Sequence, residues 1–300
     1  MYTKYYYYIY GLVLESDIKF ASMKEIENHQ YSDVSIEIGI MPQKVKESIA
    51  SGQEYVIRKD EVWFYIPDSG SYYIENGERI LVEKKQQSDQ NLVECFILGA
   101  CLAHLLLQRQ EVPIHGGANV VDNKALIIMG ECGAGKSTLT TALRLDGFPV
   151  IADDISTVHI VNETAMVMPA APRQKLCRDT AIRFGLDLHN LDYISEGKDK
   201  FAVDLKQDFC TVEKEAGVII EICLSDQEEA SISEIIGIDK VYTILNNIQR
   251  KVYFDAVGVN PVIMKKVVKI ASTVRMYRIL RPKGKETLNE IKELLLDKVK

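Results

Sequence analysis

Residues 130–154 read GECGAGKSTLTTALRLDGFPVIADD, from Gly130 to Asp154, and this stretch decides the fold. It opens with Gly130, four intervening residues, then Gly135-Lys136-Ser137, the spacing of a phosphate-binding loop. The apolar run Ala125-Leu126-Ile127-Ile128-Met129 before it reads as a buried strand. Ser137 to Leu145 after it holds good helix formers, with no breaker until Gly147. Strand, glycine loop and helix start in that order aim backbone N–H groups and a helix N-terminus at one anion. Gly130, Gly133 and Gly135 permit backbone angles and close approaches that a side chain would block. A glycine turn ahead of a helix would explain the glycines but not Lys136-Ser137. The spacing therefore predicts a nucleoside triphosphate site. Gly130, Glu131, Cys132, Gly133, Ala134, Gly135, Lys136, Ser137 and Thr138 form its binding segment. Lys136 supplies a point charge for the β and γ phosphates of ATP, and Ser137 offers an oxygen to Mg2+.

Beyond the loop helix, Gly147-Phe148-Pro149 turns into the apolar run Val150-Ile151-Ala152, with Asp153 and Asp154 at its end. Ligands of open α/β sheets sit at that edge. One acid there can hold magnesium while the other accepts a proton from an attacking hydroxyl. Adjacent side chains leave a strand on opposite faces unless the strand has ended. Crowding raises the pKa of one carboxylate, which improves it as a base. Upstream, His115-Gly116-Gly117 opens a strand that leads through the turn Asp122-Asn123 into the loop strand, so His115 is a candidate member of the site. Farther on, Pro169 to Leu176 reads as a constrained loop whose Arg173 and Lys175, with the neighbouring Arg178, are candidates to meet phosphates or an acidic substrate.

The 300 residues are 47% apolar and 26% charged, with a net charge of -7. That balance fits a globular protein and argues against broad binding to nucleic acid or anionic membrane. The six cysteines lack metal spacing and read as reduced thiols of a cytoplasmic protein. Cys132 stands apart because it lies inside the phosphate loop, either as a small residue that fits there or as a redox-sensitive thiol, since helix N-termini lower thiol pKa. The N-terminal MYTKYYYYIYG is aromatic and does not have the form of a signal peptide. Leu92 to about Gln108 is apolar almost all round and predicts a buried helix rather than a membrane span, with His104 packed inside it.

Residues 1–88 predict a small β-rich N-terminal domain for docking or assembly. Tyr5 to Leu14, Val34 to Ile38, Tyr55 to Ile57 and Val62 to Ile66 have strand composition, and Ser71 to Glu83 forms a hairpin about Asn76-Gly77. Residues 89–300 predict the nucleotide-binding domain. Its later elements are a hairpin at Asn162-Glu163, a turn over Ser195 to Asp199, and strands at Lys200 to Leu205, Ala216 to Leu224 and Val274 to Leu280. Helices are expected at Asp239 to Asn247, Val262 to Ala271 and Glu286 to Val299.

His115-Gly116, the loop from Gly130 to Ser137 and Ala152-Asp153-Asp154 together resemble, in order and spacing, the HPr kinase/phosphorylase family and its wider HPr-kinase-like serine kinases. The resemblance spans roughly residues 100 to 280. It extends to Tyr5 to Asp17, Tyr72 to Val82, Pro172 to Leu176 and Val274 to Pro282. It implies an α/β fold in which a P-loop domain like the nucleotide-binding part of PEP carboxykinases joins the smaller β-rich domain. It implies phosphorylation of a serine hydroxyl by ATP with magnesium. Lys136 and the loop amides would hold ATP, Ser137 and Asp154 the metal, and Asp153 would be the base, with His115 and Asp154 as a supporting pair. Cys132 and Thr138 stand where those kinases usually carry Ser and Glu, and their Glu-Ile-Arg-Gly segment has no match here. The resemblance therefore implies neither phosphorolysis nor HPr as acceptor. A peptide or protein serine, or a small hydroxyl compound, fits as well, and homo-oligomeric assembly stays open. Two other functions compete with a hydroxyl kinase. One is a non-catalytic nucleotide-binding regulator or scaffold. The other is a transporter-type ATPase, which the lack of a Leu-Ser-Gly-Gly segment disfavours.

Overall fold

The computed structural model describes residues 3–27, 31–195 and 199–299. The chain begins with a seven-stranded sheet. Its strands are β1 (Tyr5–Ile9), β2 (Leu12–Ser16), β3 (Val34–Ile38), β4 (Tyr55–Ile57), β5 (Glu61–Ile66), β6 (Gly70–Glu75) and β7 (Arg79–Lys84), ordered β1-β2-β3-β7-β6-β5-β4. The strand-forming run at Tyr5 is cut in two by Tyr10 and Gly11, whose φ of 54° and 78° turns the chain back on itself. Asn76 and Gly77, at φ 57° and 69°, make the expected hairpin turn. A short helix, α1 (Gln43–Ala50), was not legible in the sequence, because only Val45 of it is buried.

A helical run, Gln90–Gln108, follows. It comprises α2 (Gln90–Phe96), a π turn over Ile97–Cys101, and α3 (Leu102–Gln108). Asp89 caps it by accepting from the Asn91 amide at 2.8 Å. By length and hydropathy alone it would span a membrane, yet 83% of its apolar 18-residue window is buried in the protein. One apolar core holds Tyr7 and Ile74 of the first sheet, Leu102 and Leu106 of this helix, and Ile114 and Ile127 beyond it, so packing is continuous across residue 88. His104 is buried there, and burial pushes its imidazole down to about 3, so it stays neutral.

The second sheet is built on β8 (Val112–Val121) and β9 (Lys124–Gly130), an antiparallel pair. After α4 (Lys136–Leu145) come β10 (Val150–Ala152), β11 (Ile155–Val161) and β12 (Thr164–Val167). A separate three-stranded sheet contains β13 (Arg173–Cys177), β14 (Asp192–Ser195) and β15 (Asp199–Asp204), with α5 (Arg178–Arg183) inserted. The chain ends with β16 (Lys214–Ser225), β17 (Ser231–Glu234), α6 (Ile238–Asn246), α7 (Val252–Val257), α8 (Pro261–Thr273), β18 (Arg275–Pro282) and α9 (Leu288–Val299). β16 runs parallel to both β9 and β18. Strand pairing closes a ring from β8 through β9, β16, β12 and β11 back to β8. The architecture is thus mixed α/β.

β9 explains its own apolar run. Ala125, Ile127 and Met129 enter the first core, while Leu126 and Ile128 enter a second core with Leu139 and Leu143 of α4 and Ile291 and Leu295 of α9. The strand alternates with period two and is buried on both faces. Asn260 and Pro261 start α8, the Asn260 side chain accepting from the Val262 amide at 2.7 Å. The expected loop over Pro169 to Leu176 is corrected in part, since Arg173–Cys177 is a strand held by β15. The turn expected over Ser195 to Asp199 falls on residues 196–198, outside the described residues.

Candidate functional site: a glycine loop facing an acid turn

The glycine loop leaves the end of β9. A Cβ on Gly130, at φ 141°, would lie 2.2 Å from the Ile222 carbonyl oxygen, so only glycine lets β9 end against β16. Gly133, at φ 85°, has open space where a Cβ would stand. Gly135 caps α4 in the left-handed region, φ 108°, and contributes no side-chain hydrogen bond. The first amides of α4 therefore have no side-chain cap, as at helix starts that suit an anion. Lys136 Nζ donates to the Gly130 and Glu131 carbonyl oxygens at 2.7 and 3.0 Å, which folds its charge over the loop. Burial pulls its pKa down, against the opposing influence of Cys132 and Asp154. Thr141 ties the first turn of α4 to the neighbouring sheet, donating to the Ser137 carbonyl at 2.7 Å and lying 3.1 Å from Gln174 Oε1.

The acid turn sits opposite. β10 ends at Ala152, and Asp154 adopts φ 65°. The Ile155 amide donates to the Asp153 carbonyl at 2.7 Å, which tightens the bend. Strand alternation has therefore ended, and both carboxylates border one cavity. Asp153 Oδ2 accepts from the Lys175 amide at 2.8 Å. Asp154 Oδ2 pairs with Lys175 Nζ at 2.7 Å, and its Oδ1 lies 3.7 Å from His115 Nδ1. The Gly116 amide donates to the Asp154 carbonyl at 3.2 Å, so β8 braces the turn from below.

These contacts split the two acids. Burial and then the Asp154 charge raise Asp153 to about 6. Burial also works against ionised Asp154, but Lys175 and then His115 outweigh it and hold that carboxyl below the usual range. His115 is pushed down by burial, with Asp154 opposing, so its imidazole is neutral at neutral pH. One acid is thus a fixed charge, and the other titrates within reach of neutral pH.

A cavity of about 390 Å³ joins the two loops, within the range of small-molecule sites. His115, Cys132, Gly133, Gly135, Lys136, Ser137, Thr138, Asp153, Asp154 and Lys175 all line it. Gly130, Glu131 and Ala134 shape the loop away from its wall, and Ala134 is buried in the second core. Arg173 does not line it. Its guanidinium is buried 3.7 Å from Glu94, which also accepts from the Ala21 amide at 3.0 Å. Arg178 is likewise elsewhere, paired with Asp199. Gly116 and Gly117, beside His115, also line it, and Cys177, Thr180 and Lys200 complete the wall, unforeseen from the sequence. Cys177 and Lys200 are register partners on β13 and β15 and so share one face, a pairing no local sequence signal carries.

An anion fits the open glycine loop beside Lys136. No cluster of three or more His, Cys, Asp or Glu side chains suited to a metal occurs among the described residues. Ser137 and Asp154 do border the same cavity, and magnesium commonly takes only one or two protein oxygens beside phosphate and water. The donor set therefore fits a phosphate-bound magnesium rather than a protein-caged one.

No protein-family model matches the chain, and no curated protein matches it. Among solved structures it is similar to the Hpr(Ser) kinase/phosphatase from Coxiella burnetii. The two are 16% identical, with a TM-score of 0.33, over 62% of this chain and 89% of that one.

Proposed function

We propose that the protein is an ATP-dependent kinase that transfers a phosphoryl group to a hydroxyl, that of a peptide or protein serine or of a small hydroxyl compound. The observation that carries this is the placement of Asp153, poised near 6, in the same cavity as the glycine loop and Lys136. Phosphoryl transfer requires little beyond alignment, charge neutralisation and a proton acceptor. The loop amides and Lys136 bind and orient the triphosphate. Asp153 accepts the acceptor hydroxyl's proton, and the Lys175 amide fixes its Oδ2 while it does so. Lys175 keeps Asp154 ionised and oriented, and the neutral His115 ring lies beside it. Ser137 and Asp154 would hold magnesium, which when bound neutralises phosphate charge.

The test is incubation with γ-labelled ATP, magnesium and a panel of hydroxyl acceptors, namely serine peptides, proteins encoded nearby and small alcohols. Label on an acceptor hydroxyl supports the kinase. Tight ATP binding with no label on any acceptor would instead leave a nucleotide-binding regulator.

A further inference from the structure

Beside the acid turn, with no residue of the nucleotide loop in its wall, lies a partly open recess with about 20 Å³ of room. Asp153, Asp154, Lys175 and Arg173 border it, and so does Tyr10, which comes from the tip of the β1–β2 hairpin in the other sheet. The tip is fixed there. Tyr10 is 2% exposed at φ 54°, an uncommon conformation for a non-glycine residue, and its amide donates to the Pro169 carbonyl at 2.8 Å. Gly11 beside it packs so closely that a Cβ would lie 3.3 Å from the His159 ring. Such a tip holds its side chain in one place.

The recess has room for roughly one water, and a buried water needs two to four polar partners. Tyr10, Asp153, Asp154 and Lys175, all of which line it, carry groups of that kind. Burial pushes the Tyr10 phenol up, with Asp154 adding to the effect, so the hydroxyl keeps its proton and has one to donate.

We propose that Tyr10 is a positioning residue for the acid turn: its hydroxyl, through one water in this recess, holds Asp153 and Asp154 in place while substrates occupy the larger cavity. Its importance for rate rests on the kinase proposal, whereas its contact with the turn does not. The N-terminal sheet is then a working part of the site, because its first hairpin supplies part of the recess wall. A water-mediated bond costs little relative to a direct one and transmits orientation as well.

The test compares Tyr10→Phe, which removes only the hydroxyl, with Tyr8→Phe, an exposed tyrosine on the same hairpin. The Lys175 backbone amide, which donates to Asp153, is the reporter in 15N–1H spectra of the full chain. We expect its resonance to move in Tyr10→Phe and to stay in Tyr8→Phe. In the transfer assay kcat falls about tenfold in Tyr10→Phe, with KM for ATP and Tm near wild type, as for a modest misplacement of a reacting group. Gly99→Ala is the second variant. Its methyl would enter the cavity wall 3.8 Å from Lys175 Nζ, displace the water and leave Tyr10 intact, so it reproduces both effects. An unmoved Lys175 resonance in Tyr10→Phe and Gly99→Ala overturns the proposal. A kcat loss matched by an equal loss of Tm and of ATP affinity also overturns it, by reducing Tyr10 to a packing residue. If the wild-type protein labels no acceptor, the kinase proposal fails and the Lys175 resonance alone decides this one.

Discussion

The glycine loop and the acid turn face each other across one cavity, but they are held in opposite ways. The loop is mostly local: its shape comes from Gly130, Gly133 and Gly135 and its charge from Lys136, with one outside brace where Arg281 of β18 donates to the Ala134 carbonyl at 3.1 Å. The acid turn is assembled from a distance. Lys175 reaches it from β13, His115 and Gly116 from β8, and the Tyr10 hairpin from the other sheet. A loop that carries its own geometry suits a fixed task such as gripping phosphate. A turn braced by several elements has a chemistry set by the whole fold, and the split between Asp153 and Asp154 is the result.

That contrast can be broken most forcefully at Asp153. Asp153→Asn should cut transfer by roughly 10²–10⁴-fold, the usual weight of a general base, while the loop goes on binding ATP. At Lys175 the damage should move from chemistry to stability as well. Lys175→Met leaves Asp154 without its closest cation, and breaking a buried pair typically costs about 3–5 kcal/mol. With Asp154 still 24% exposed, the low end is expected, about 3 kcal/mol by chemical denaturation. Because Lys175 holds the Asp154 carboxyl below its ordinary value, the pair's contribution is complete above that ordinary value. It fades as pH falls toward the folded one, so the penalty of Lys175→Met should shrink in acid.

The loop offers the smaller, cleaner effect. Lys136→Ala should weaken ATP binding by about ten- to a hundredfold, the value of a charged hydrogen bond, and lower turnover with it. Calorimetric titration with ATP reads this directly, and the acid turn should remain folded. Last comes the cost of keeping a base poised. Asp153 is raised to about 6, so the folded state favours its protonated form. Stability is then greatest below the ordinary aspartate value and is lost as pH rises through about 6. Asp153→Asn should therefore be more stable than wild type by about 1–3 kcal/mol at pH 8 and no more stable at pH 4. Equal gains at both pH values would show that Asp153 is not perturbed in this way.

The same contrast separates what the sequence disclosed from what it did not. The loop was legible because spacing, glycines and a flanking apolar strand are local signals, and β9 wrote its double burial as an unbroken apolar run. The pair Asp153-Asp154 was legible as a site but not in its geometry. Nothing local announces that Asp154 turns left-handed and brings both acids to one side. Lys175 and Arg173 looked alike in sequence, two cations in a Pro-bounded stretch. As part of β13 they diverge, Lys175 to Asp154 and Arg173 to buried Glu94, because β15 fixes the register and α2 supplies the partner. Tyr10 was lost among its neighbouring tyrosines, since a hairpin tip that crosses to another sheet leaves no periodic trace.

The central claim is that one loop grips the triphosphate while one acid of the opposite turn completes the transfer. It is tested most directly by measuring ATP affinity and label transfer from γ-labelled ATP side by side on the wild-type chain and Asp153→Asn, with the same acceptor and magnesium. The account predicts affinities within about twofold of each other and a labelled acceptor hydroxyl with the wild type only, transfer by the variant falling at least a hundredfold. Equal labelling by both proteins would contradict it.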